Sequence, residues 1–141
     1  MIRTAFFILI AVTLFSCTGG SDMAPLAPIT IVGKWTYVSD RQQVVDTTGA
    51  VLSDVTVTSF PAGAYLQFNN DGTGMAADGS GGMLNFTYVL NGTIETEYQT
   101  PKVGGAKPHV YTIVLGKTTL TRHSTTKQGT NMLIEDTDLS R

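Results

Sequence analysis

From about residue 30 onward the chain obeys one rule: apolar and polar residues alternate every second position in short windows, and Gly, Asn, Asp and Pro fill the gaps. A two-residue period sends successive side chains to opposite faces of an extended strand, so one face can be buried while the other meets water. In 83–90, Leu84, Phe86, Tyr88 and Leu90 share a face, and Asn85 and Thr87 take the other. Tyr111, Ile113 and Leu115 do the same in 110–115, as do Ala64, Leu66 and Phe68 in 64–69. The many threonines and β-branched residues oppose helix and suit pleated strands.

Turn chemistry joins these windows into hairpins. Asn70-Asp71-Gly72, Asn91-Gly92 and Gly116-Lys117 each separate two alternating runs, and Asn-Gly and Asp-Gly pairs accept the positive φ of tight turns. Eight strands are predicted, over 31–39, 64–69, 74–77, 83–90, 93–99, 110–115, 118–125 and 132–137, with a possible extra pair inside 42–59. The fold class is therefore all-β and antiparallel. An up-and-down eight-stranded barrel removes exposed sheet edges; a two-sheet sandwich gives a similar strand list, and the local pattern leaves both open.

The first sixteen residues follow a different rule. Arg3 is followed by a mostly apolar run from Ala5 to Phe15 and then Ser16, the layout of a secretory signal peptide. The run falls short of the ~20 apolar residues that a membrane-spanning helix needs. Cys17, the chain's one cysteine, comes next, and Leu14-Phe15-Ser16-Cys17 resembles the lipobox of bacterial lipoproteins, with Phe15 departing from the usual small or β-branched residue. That resemblance implies acylation of Cys17 after cleavage, and acyl chains hold a protein on a membrane at about 0.8 kcal/mol per buried methylene. Residues 17–29, rich in Gly, Ser, Asp and Pro, read as a flexible tether, leaving 30–141 as a single domain. The expected address is an exported, lipid-anchored envelope protein, on the outer membrane.

Charge excludes some partners. Nine Lys and Arg against eleven Asp and Glu give a formal net charge of −2 with no basic cluster, so nucleic acid has no electrostatic foothold.

The opening strand, IVGKWTYVS, carries Gly33-Lys34-Trp35. With the FNNDGTG hairpin and the late YTIVLGKTTLTR hairpin, it resembles small bacterial lipocalin-like lipoproteins over residues 30 to 139. The resemblance implies a lipocalin-like (calycin) barrel whose Gly-x-Trp strand closes the base, Trp35 packing against an arginine from a late strand. Arg122 is the candidate for that partner, beside Gly33 and Trp35. It also implies a small apolar or amphipathic ligand inside the barrel, lined by Leu66, Phe68, Leu84, Phe86, Tyr88, Tyr111 and Ile113. Several of these are bulky, so the same residues can instead fill the barrel, leaving a structural lipoprotein that meets an envelope protein or a glycan through its loops, with Tyr65 and Tyr98 exposed.

No residue pattern points to catalysis, a cofactor or a metal. His109 stands at a strand entrance and His123 in a threonine-rich strand, neither beside an evident acid and nucleophile. Gln67 to Asp78 has calcium-loop spacing in part, but an EF-hand needs an acidic first ligand and a glutamate at its end; a hairpin turn is the reading. ADGSGGM, 77–83, has no following helix or lysine to make a phosphate loop and reads as a mobile loop. It, the segment 46–63 and the loop 100–109 are where a binding surface is expected, since loops at a barrel mouth carry function.

Overall fold

The structure, a computed structural model, describes residues 28–101 and 107–141. The 1–16 leader, Cys17 and most of the tether lie outside the described residues, as do residues 102–106. Nine strands follow one another: β1 (Gly33–Val45), β2 (Val51–Val57), β3 (Ala64–Phe68), β4 (Thr73–Asp78), β5 (Met83–Asn91), β6 (Ile94–Thr100), β7 (His109–Leu115), β8 (Thr119–Gln128) and β9 (Asn131–Ser140). They pair in the order β2-β1-β3-β4-β5-β6-β7-β8-β9, and β9 returns to β1. Every pairing is antiparallel. The β1–β9 ladder closes eight strands into a lipocalin-like barrel and rules out the sandwich; β2 is an added strand.

The predicted first strand stops at 39, whereas β1 runs to Val45 and has two partners on one edge. Gly33 to Thr36 pair with β3, and Asp40 to Val45 pair with β2. Between these stretches a bulge lets Tyr37 face Leu139 and Ser39 face Asp138, leaving Val38 as the extra residue. A bulge resets side-chain parity. Inward positions on β1 are therefore Trp35, Tyr37 and then Asp40, where strict alternation would have placed Ser39.

One end of the barrel is filled. Ile31, Trp35, Leu66, Phe68, Phe86, Ile113, Leu120 and Leu139 form its buried cluster, each large apolar side chain contributing about 1.5–3 kcal/mol by leaving water. Phe68 meets the rings of Phe86 and Tyr88 edge-on, with centroids 5.7 and 5.0 Å away. Gly74 stands opposite Phe86, and the ring occupies the space a Cβ would need.

The base is sealed by Trp35, which is fully buried and donates from Nε1 to the Ile31 carbonyl at 2.7 Å. Its cationic partner is Arg141, whose guanidinium lies 4.3 Å from the indole ring and donates to the carbonyls of Val32 and Lys117. This corrects the expectation for Arg122. Leu120 and Tyr37 both oppose Leu139 near the base, so Arg122, two residues beyond Leu120, sits a layer higher, opposite Thr137. Gly33 belongs to the seal: its φ is +136°, and a Cβ there would stand 3.3 Å from Arg141 Nη1.

Candidate ligand cavity

Above the filled base the barrel opens into a cavity of about 820 Å³. Its wall comes from residues of β1, β3, β4, β5, β7, β8 and β9, and its lip from Phe60 and Pro61 together with the neighbouring Ser80, Gly82 and Met83. Phe60 stacks on Tyr37 with centroids 5.2 Å apart, which brings the end of the 46–63 segment to the opening. The 77–83 stretch, expected to be mobile, is a tied hairpin. Asp78 accepts hydrogen bonds from Ser80 N, Ser80 Oγ and Gly82 N at 2.7, 2.9 and 3.0 Å. Those bonds, led by the Ser80 amide, hold its carboxyl below the usual range.

Arg122 divides the cavity from the core. It is buried and lines the cavity, with its guanidinium 3.7 Å from the centre of the Tyr111 ring and 5.8 Å from that of Phe68. Two carboxylates from β6 hold it. Nε and Nη2 donate to Glu95 at 3.0 and 3.1 Å, and Nη2 also donates to Glu97 at 2.6 Å. Burial works against the Arg122 charge, but Glu97 and Glu95 more than restore it, and its pKa is raised.

Glu95 is wholly buried. Loss of water pushes its carboxyl up to about 7, Arg122 opposing the rise and the Glu97 charge adding to it. Tyr111 is pushed up to about 12 and Tyr37 is raised, in both cases chiefly by desolvation, so both phenols stay neutral at physiological pH.

Three carboxylates line the cavity itself: Asp78, tied into its turn, and Asp40 and Glu135. Asp40 accepts from Thr137 Oγ1 at 3.0 Å and from Gln42 Nε2 at 3.3 Å; Glu135 accepts from Ser124 Oγ at 3.1 Å. Among the described residues neither is in an ion pair.

Of the seven side chains expected to line a ligand, Leu84 and Tyr111 line this cavity. Leu66, Phe68, Phe86 and Ile113 are in the packed base, and Tyr88 is half-buried against it, donating to the Asn69 carbonyl at 2.8 Å. Arg122 is in the cavity wall, away from Trp35. The reading missed Tyr37, Asp40, Phe60, Glu135 and Thr137. A signal existed for two of them: Glu135 and Thr137 share parity with Leu139, but they are polar and so do not stand out as inward-facing by hydrophobic alternation.

On the outer wall His123 Nδ1 lies 2.6 Å from Asp136 Oδ1, and Nε2 lies 3.4 Å from Thr125 Oγ1. No acid neighbours His123 in sequence; strand pairing supplies Asp136 from β9. The group stands on an exposed sheet face beside the Arg41–Asp54 pair, with no enclosure to hold a substrate. Asn70-Asp71-Gly72 is a hairpin turn, Asp71 accepting from the Thr73 amide and hydroxyl.

In comparisons with known proteins, no protein-family model matches the chain and no curated sequence is significantly similar to it.

Proposed function

We propose that this is a lipid-anchored envelope protein of the lipocalin-like lipoprotein kind, exported and held on the outer membrane through Cys17, whose barrel binds a small amphipathic molecule. The observation that carries the reading is the cavity of about 820 Å³ above a filled base. Ligand sites run from about 300 to 1,000 Å³ and combine apolar walls with a few fixed polar groups. Here Tyr37, Phe60, Met83 and Leu84 supply the wall, and Arg122, Asp40 and Glu135 the polar groups.

A second reading has its own support. Val89, Ile94, Val110 and Val114 are exposed on the outer wall of β5 to β7, a surface that suits an interaction lipoprotein contacting another envelope component. Mass spectrometry of the protein taken from its own cells tests both. A native mass exceeding the denatured mass by that of a small molecule supports the carrier; a co-purifying envelope protein with no such excess supports the second reading. The denatured mass reports acylation, and Cys17→Ser should free the protein from membranes. A variant that still sediments with membranes refutes the anchor.

A further inference from the structure

Among the described residues, the cavity carboxylates Asp40, Asp78 and Glu135 outnumber the lining cation, and Asp78 is taken up by the Ser80 and Gly82 donors of its own turn. That cation, Arg122, is committed to Glu95 and Glu97. Asp40 and Glu135 have only neutral donors: Thr137, Gln42 and Ser124. An ionised carboxylate offers about four acceptor positions, so both retain capacity toward the cavity.

Strand register brings the two together. Asp40 opposes Thr137 and Gln42 opposes Glu135; Asp40 and Glu135 are thus diagonal neighbours on the inward face of β1 and β9, a separation of about 7–8 Å. One ammonium set between them can reach both. Beside them stands the stacked Tyr37–Phe60 pair, and aromatic faces attract cations most strongly where water is excluded. The cavity already contains one such contact, Arg122 on Tyr111. An anionic head group would face Asp40 and Glu135 with no uncommitted cation among the described lining residues to receive it, and a neutral one would cover both carboxylates without compensating their lost hydration.

Resting on the carrier reading above, we propose that the ligand is an organic cation: an ammonium head held between Asp40 and Glu135, and an apolar body along Tyr37, Phe60, Met83 and Leu84. The test is calorimetric titration of the full protein, near neutral pH and at low salt, with three probes of one chain length below their micellar concentrations: decyltrimethylammonium, decanol and decanoate. The ammonium should bind about tenfold more tightly than decanol, two half-exposed charge pairs giving an effect of that order, and decanoate should bind most weakly. The combined variant Asp40→Asn, Glu135→Gln should remove most of the preference from both sides, weakening the ammonium and tightening decanol, whose head no longer covers two ionised carboxylates. Should that variant misfold, the wild-type protein still decides, because about 0.5 M salt shortens the screening length to a few ångströms and should shrink the preference. Equal binding of all three probes, or tightest binding of decanoate, overturns the charge assignment and leaves the carrier reading standing. Binding of none overturns both.

Discussion

Replacing Glu95 with glutamine should flatten the stability of this protein against pH. A carboxyl titrating near 7 in the folded chain and near 4.5 in the unfolded one makes a contribution that is fully present below the unfolded value and is lost as pH rises through the folded one. At about 1.4 kcal/mol per pH unit, the full loss is about 3 kcal/mol, most of it between pH 5 and 8. Glutamine mimics the protonated acid in shape and cannot ionise, so the loss disappears. Arg122 is not orphaned, because Glu97 still holds Nη2 at 2.6 Å. Wild type and Glu95→Gln should therefore be about equally stable at pH 5, and the variant should be the more stable by about 2–3 kcal/mol at pH 8, a shift in Tm on the order of 10 °C for a domain of this size. Urea titrations at unit pH intervals, with m compared between the two proteins, read the difference. The carboxylates of Asp46, Asp54, Asp71 and Asp78, held low by hydrogen bonds, act in a separate window, their contribution fading as pH falls below about 4. Parallel curves for the two proteins from pH 5 to 8 would refute the reasoning: Glu95 would then be ionised throughout, its attraction to Arg122 exceeding the cost of its burial.

Trp35→Ala should cost about 3–5 kcal/mol, the range for deleting a buried large aromatic, read as a lower denaturation midpoint. Arg141→Ala should cost about 1–2 kcal/mol through the lost stacking and carbonyl contacts, and it should red-shift the emission of Trp35, the chain's one tryptophan. A variant at Arg122 that moved that emission as much would contradict the separation of the two arginines. Gly74→Ala should cost about 1–3 kcal/mol by overpacking, since its Cβ would meet the Phe86 ring and stand 2.8 Å from the Gln67 carbonyl. Adding Phe86→Leu should recover part of that loss, and strictly additive effects would show that the two sites do not touch.

Strand identity was legible wherever alternation and turn residues agreed. Ala64, Leu66 and Phe68 are buried in the order the pattern requires, and the turns at Gly72 and Gly92 have the positive φ their neighbours call for. The pattern gave the face and failed to give the depth: Leu84 and Leu90 share a face with Phe86, yet both lie exposed near the ends of β5, Leu84 in the wall of the open cavity. It failed again on β1, where the bulge at Val38 turns Asp40 inward. The polar interior was hidden for another reason. Glu95 and Arg122 are tolerable inside because Arg122 donates to both Glu95 and Glu97, the first of them 27 residues away on another strand, a pairing that period-two reading of single strands does not reveal. Arg141 was legible in principle, since it shares parity with Leu139, but the family resemblance implies an arginine on a late strand, and Arg122 also fits that description.

Closure of the barrel by β1 and β9 sets an order of events. The guanidinium of Arg141 holds the carbonyl of Val32 across 109 residues of chain, and one whole edge of β1 finds its partner only in the strand made latest. The contacts from β3 to β9 are between neighbours in sequence and can zip together as a meander, but the floor beneath Trp35 has no lid until that meander curls back on itself. Such distant pairing is slow to form. Until it closes, the sheet would present two bare edges and a naked tryptophan, and in that interval, more than in the finished barrel, the protein would be exposed to proteases, chaperones and other unclosed copies of itself.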